Sequence, residues 1–299
     1  MLNGTGAACR KQWFLAEDLL AVLAKVVMNY AGMIGTGGRK MNLLLSSILW
    51  EQQCKAGLSQ LRLIDWAAEL QVAGVEFRPF WLEPEAEPEQ AAVLLRQAGL
   101  TAVYAANEGL LAVNQAETVR ALAGLRRSLA IAMRLGARVL RMNVAAGPFD
   151  VSLLQTDWWL CSMRQILAEA KAASILLAVE NGPDKARSDP AVLLALLDRI
   201  ASPHFQLTFD MANWLYAGIE PQQALKQFGS RVGYVHLKDA VFSQRSLTHS
   251  HPGIGLVDVR GLYRQLLADG YTGFAALEFP GGDAPLARAR QVCDYLYTD

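Results

Sequence analysis

Residues 175–210 contain two short apolar runs on either side of one helical pattern. The first run is Ile175-Leu176-Leu177-Ala178-Val179-Glu180-Asn181, and the second is Phe205-Gln206-Leu207-Thr208-Phe209-Asp210. The first shows no apolar/polar alternation and the second very little. As strands they are apolar on both faces, which suits a parallel sheet covered by helices. Between them, Asp189-Pro190 reads as an N-cap followed by proline at the first helical position, opening a helix over Pro190–Ile200. This is a βαβ unit, and both of its strands end on a carboxylate.

The same rhythm runs outward in both directions. Strand-like runs occur at Leu43–Trp50, Gly74–Phe80, Ala102–Asn107 and Arg138–Val144, and again at Val232–Leu237 and Phe274–Phe279. Helical patterns separate them at Leu58–Gln71, Glu87–Ala98, Gln115–Leu135, Leu153–Ala172, Gln222–Phe228 and Val257–Asp269, and one more follows at Ala284–Tyr295. Gly74, Gly99, Gly136 and Gly270 sit where a helix ends and the chain turns into a strand. With eight strands spaced roughly 25 to 40 residues apart, the pattern reads as a closed (β/α)8 TIM barrel. The alternative, an open doubly wound sheet that binds nucleotide, loses support because no G-x-G-x-x-G opens a helix and no Walker A sequence occurs.

Composition narrows the function classes. The chain has 299 residues, 53% of them hydrophobic, with 28 basic and 28 acidic side chains. Intrinsic disorder is excluded by that apolar content and zero net charge. A nucleic-acid partner is not expected, because neutralising phosphates needs a basic surplus. Cys9, Cys54, Cys161 and Cys293 form no CxxC pair and read as free thiols in a reducing, cytoplasmic compartment. The apolar stretch from Trp13 to Gly35 contains Glu17, Asp18 and Lys25, so no membrane span is expected. A barrel needs about 250 residues, and Met41 to Asp299 supplies 259. The division is therefore residues 41–299 as barrel and residues 1–40 as an N-terminal extension. Within that extension Leu15–Met28 has amphipathic helical character; the alternative is that Met41 is the natural start.

In such a barrel the working face lies where the strands end. Strand five ends on Glu180, strand six on Asp210 with Asn213 beyond it, and the last strand on Glu278. Strand seven carries His236 and Lys238, two apart and hence on one face. Carboxylates converging in one mouth repel one another, and a divalent cation removes that penalty. A set of Glu, Asp, His and Glu without thiolate suits Mn²⁺, Mg²⁺, Co²⁺ or Zn²⁺.

At these motifs the chain resembles the xylose isomerase-like TIM barrels, the sugar phosphate isomerase/epimerase group that includes tagatose-3-epimerase-type enzymes. The resemblance rests on Val179-Glu180-Asn181, Phe209-Asp210-Met211-Ala212-Asn213-Trp214, Val235-His236-Leu237-Lys238-Asp239 and Leu277-Glu278-Phe279. Weaker matches are Gly74-Val75-Glu76-Phe77-Arg78 and Gly253-Ile254-Gly255. It implies that Glu180, Asp210, His236 and Glu278 bind one divalent metal, with Glu180 and Glu278 as the acid/base pair. It further implies an isomerase or epimerase of a small sugar or sugar derivative. The alternatives are a dehydratase or lyase acting on an inositol or keto-sugar, and a sugar-binding barrel without catalysis. Endonuclease-like relatives with three zinc ions need more histidines than the four present.

Further residues are candidates for substrate contact. Asn213, Lys238 and His251 lie near the ligand set in sequence, and Arg78 would bind an anionic group or pair internally with Glu76. Trp50, with Phe80 and Trp81, would wall the pocket with apolar surface. Apolar helix faces would suit a homo-oligomer.

Overall fold

The computed structural model describes residues 42–298. The expected extension at residues 1–40 lies outside them. Eight parallel strands close into a barrel: β1 (Leu43–Ser46), β2 (Gly74–Phe77), β3 (Thr101–Leu111), β4 (Val139–Ala145), β5 (Leu176–Glu180), β6 (Phe205–Asp210), β7 (Val232–Leu237) and β10 (Phe274–Leu277). Strand order around the barrel follows chain order, with β10 closing against β1 through Leu44↔Ala276.

Alternation along each strand divides the apolar residues in two. One set points out onto the helices: Leu43 and Leu45, Leu177 and Val179, Leu207 and Phe209 all belong to the large buried cluster. The other points in, where Leu44, Val103, Val139, Ala178, Tyr234 and Ala276 form a separate small cluster inside the barrel. Each fully buried Leu, Val or Phe contributes about 1.5–3 kcal/mol relative to exposure, so both layers hold the strands in register.

Helix boundaries follow cap chemistry. The helix Pro190–Ile200 begins where the Asp189 side chain accepts from Ala191 N at 2.8 Å, and Gln115–Leu135 where Asn114 accepts from Glu117 N at 2.9 Å. Gln115–Leu135 ends at Gly136, whose φ of +69° is a left-handed conformation that glycine adopts without strain.

Two expected boundaries need correction, and one element was not expected. The first strand stops at Ser46, not Trp50, because the Ser46 hydroxyl caps a 3₁₀ turn over Ser47–Trp50. The helix expected from Leu153 starts at Asp157, after a separate 3₁₀ turn over Val151–Gln155. Between β7 and β10 lies an unexpected antiparallel hairpin of β8 (Asp239–Ser243) and β9 (Ser246–Ser250). Its two-residue turn has φ of +48° at Gln244 and +65° at Arg245. Such turns usually announce themselves with Asn-Gly or Asp-Gly.

Candidate metal centre

Two residues beyond the inner layer, the inward positions of seven strands become polar, while β3 stays apolar at Ala105. Ser46, Glu76, Arg141, Glu180, Asp210, His236 and Glu278 follow Leu44, Gly74, Val139, Ala178, Thr208, Tyr234 and Ala276 on their strands. Arg78 and Lys238 lie one inward step further along β2 and β7. Strand register places Asp210 beside His236.

His236 is the centre of the group. Its Nε2 faces Glu76 Oε2 at 2.7 Å, and its Nδ1 faces Glu180 Oε1 at 2.5 Å, with Asp210 Oδ2 at 3.9 Å. Glu76 is itself fixed, accepting from Tyr234 OH at 2.8 Å and from Ser46 Oγ at 2.5 Å. Burial alone would raise the Glu76 pKa. The charge and hydrogen bond of His236, the Arg78 guanidinium and the Ser46 hydroxyl outweigh it and bring the pKa down to about 2. Burial beside Glu76 pushes the Tyr234 phenol well above its usual range, so it stays a donor.

Three cations neutralise the carboxylates. Arg141 Nη2 pairs with Glu180 while its Nη1 donates to Ala106 O at 3.0 Å. Lys238 Nζ sits 2.6 Å from Asp210 Oδ2 and 2.5 Å from Glu278 Oε2. Arg78 Nη2 lies 2.8 Å from Glu278 Oε1 and 3.5 Å from Glu76 Oε1. Against the cost of burial, Lys238, His236 and Arg78 hold Glu278 well below the usual carboxylate range. Asp210 and Glu278 likewise raise Lys238 despite its burial. Arg141 moves the other way: burial and repulsion from Arg78 lower it to about 10. All these groups are closed from solvent, the most exposed reaching 7%.

A second set of contacts fixes Asp210. Its Oδ1 accepts from the backbone N–H groups of Ala212 at 3.0 Å and Asn213 at 2.9 Å. Asn181 exchanges hydrogen bonds with the Asp210 backbone, and Asn213 Nδ2 donates to Asn181 O at 2.8 Å. The Asp-x-x-Asn motif is therefore a clamp that aims the other oxygen, Oδ2, toward Lys238 and His236. The Asp239 carboxylate accepts from the N–H groups of Ala240, Gly253, Gly255 and Val257. A Cβ at Gly255 would lie 2.2 Å from Asp239 Oδ1, which explains the glycine there.

Donor atoms of Glu180, Asp210 and His236 all lie within 4.8 Å of one another, close enough to share one ion. Asp210 Oδ2 is buried and receives no well-aligned hydrogen bond, although Lys238 Nζ touches it. A histidine whose second nitrogen is held by a carboxylate is the usual arrangement of a metal ligand. The residues therefore fit a divalent ion. Glu278, expected as a fourth ligand, is not part of that group and is engaged by Arg78 and Lys238.

The expected substrate contacts are placed unevenly. Arg78 and Lys238 are in the cluster, and the internal Glu76–Arg78 pair is present. Asn213 serves the Asp210 clamp. His251 is buried, with Nδ1 3.1 Å from Pro252 O and its ring 6.1 Å from Phe279. Trp50 stacks on Trp66 at 5.0 Å and lines a groove with Gln53, Leu58 and Arg290. Trp81 stacks on Phe77 at 5.2 Å. A groove of about 750 Å³ between the loops after β4 and β5 involves none of the clustered residues. His249 on β9 stacks on Tyr216 at 4.9 Å; burial and the Lys238 charge lower its pKa.

Sequence reading missed Arg141 altogether and gave Glu76 no part in holding His236. Both had one signal, a charged side chain inside an apolar run at inward parity.

A model of the xylose isomerase-like TIM barrel family matches residues 64–298. The chain belongs to that family. Among curated proteins none matches the sequence significantly. Similar solved structures include the 3-keto-D-glucoside 4-epimerase YcjR from E. coli, at 18% identity and a TM-score of 0.68, covering 87% of this chain and 100% of that one. The probable 3-DHS dehydratase AsbF from Bacillus anthracis is 15% identical with a TM-score of 0.67, covering 86% and 99%. The IOLI protein with a bound zinc atom is 12% identical with a TM-score of 0.69, covering 85% and 96%. At these identities the likeness is one of fold. No helix among the described residues is long and apolar enough to cross a membrane.

Proposed function

We propose that this xylose isomerase-like barrel is a divalent-metal-dependent isomerase or epimerase of a sugar or sugar derivative. The observation that carries the reading is His236, gripped at Nε2 by Glu76 while Nδ1 faces Glu180 and Asp210 inside the barrel mouth. When bound, an ion held by Glu180, Asp210 and His236 supplies Lewis-acid stabilisation to the negative oxygens of an enediolate. Glu180 and Glu278 share the proton work: one removes a proton from the carbon beside the carbonyl, and the other returns a proton. Return to the opposite face inverts the centre, and return to the neighbouring carbon exchanges aldose for ketose. Arg78 and Lys238 keep Glu278 ionised at rest, and loosening of those ion pairs by bound substrate would restore its strength as a base.

The test is turnover in D₂O against a ketose and keto-sugar panel, with protein stripped by chelator and then loaded with Mn²⁺, Mg²⁺, Co²⁺ or Zn²⁺. Deuterium should enter a substrate carbon only in loaded protein, with product mass otherwise conserved. Absence of both metal binding and exchange would remove the reading.

A second reading is favoured by Lys238, a buried ammonium between Asp210 and Glu278 that is placed to protonate a leaving hydroxyl. That would make the protein a dehydratase, the activity given as probable for AsbF. A product lighter by one water identifies this outcome.

A further inference from the structure

The barrel mouth holds more positive charge than a neutral sugar requires. Arg78, Arg141 and Lys238 reach it from three different strands, and each is buried to at least nine-tenths. Burying a cation is costly unless it is paired and hydrogen-bonded. Four carboxylates, Glu76, Glu180, Asp210 and Glu278, answer these three permanent cations and leave one negative charge. A divalent ion at Glu180, Asp210 and His236 turns that balance into one positive charge. Lys238 and Arg141, whose partners Asp210 and Glu180 the ion would share, are then under-compensated.

Arg141 is the cation least well satisfied. Among the described residues it makes one ion pair, with Glu180; its Nη1 is spent on the neutral Ala106 carbonyl, and its Nε is buried with no acceptor. Arg78 Nε is likewise buried without an acceptor, but two carboxylates, Glu278 and Glu76, face the Arg78 guanidinium.

We infer that the substrate carries one carboxylate, that it is a sugar acid or hydroxy-keto acid, and that this group pairs with the Arg141 guanidinium. This rests on the metal-dependent reading above and names its substrate class. A planar carboxylate matches the guanidinium fork bidentately, and one negative charge restores neutrality, whereas a phosphate monoester would overshoot.

The experiment is calorimetric binding to Mn²⁺-loaded wild-type protein, with metal occupancy read separately by electron paramagnetic resonance. The probes are gluconate and glucuronate, their neutral counterpart glucose, and glucose 6-phosphate. The acids should bind at least about tenfold more tightly than glucose and more tightly than the phosphate ester, and added salt should erode that preference. In Arg141→Gln the preference should fall below about threefold with Mn²⁺ still bound. Arg141→Lys, which keeps the charge but loses the fork, should fall between the two and serves if Arg141→Gln does not fold. Bound Mn²⁺ with equal affinity for acid and neutral sugar, or tighter binding of the phosphate ester, overturns this inference and leaves the metal-dependent reading standing. Failure to bind Mn²⁺ overturns both.

Discussion

Two layers of the same barrel, one inward step apart, are built to opposite rules. Leu44, Val139, Ala178 and Ala276 form an apolar plug, and Ser46, Arg141, Glu180 and Glu278 follow them on the same strands as a wholly polar set. Both layers are buried, so exposure does not distinguish them. Compensation does: in the upper layer three cations are shared among four carboxylates, and the lower layer has no charge to counter. Tyr234 joins the two, with its ring in the apolar cluster and its hydroxyl on Glu76. Apolar packing is concentrated at one level and buried charge at the next.

The comparison breaks most severely if a charge is moved down one step. Ala178→Asp places a carboxylate among Leu44, Val103, Val139, Tyr234 and Ala276, and should cost about 4–5 kcal/mol, measured by urea unfolding. Moving up to Glu180 changes the kind of effect. Glu180→Gln should lower solvent-deuterium exchange about 10³-fold, as loss of an acid/base group does.

Smaller changes probe the coupling between layers. Glu76→Gln leaves His236 in place but weakens the acceptor at Nε2, and should weaken metal binding about 10–100-fold by calorimetry. Tyr234→Phe removes one buried hydrogen bond to Glu76 while keeping the ring in the plug. Its stability loss should be about 1 kcal/mol by thermal unfolding. Outside both layers, a thiol reagent should label exposed Cys161 well before Cys54 and Cys293. Burial, with nearby negative charge, raises the pKa of each of those two thiols to about 11 and keeps it protonated.

How much of this was legible before the structure differs between the layers. All eight barrel strands could be read from apolar runs, and three helices, Glu87–Ala98, Gln115–Leu135 and Pro190–Ile200, fall where periodicity and capping place them. Of the upper layer, the residues at or near strand ends, Glu180, Asp210, His236 and Glu278, were visible. Arg141 was hidden because it lies inside β4, two residues before Asn143, where the strand was taken to turn polar. Parity would have exposed it, since Arg141 pairs with Ala178 in register and so faces the same interior. Trp50 was misplaced because its strand ends four residues earlier, and the intervening 3₁₀ turn carries it to Trp66. The β8–β9 hairpin could not be read, because Gln244-Arg245 carries no turn residue that favours positive φ.

The central claim is that the upper layer gathers Glu180, Asp210 and His236 around one divalent ion. Mn²⁺ titration of chelator-stripped protein, followed by electron paramagnetic resonance, tests it most directly. The account expects one ion per chain in the wild type, and an affinity at least about 100-fold weaker in Asp210→Asn, beyond what loss of a supporting contact would cause. Wild-type protein that binds no ion, or an Asp210→Asn variant that binds it as tightly, would contradict the account.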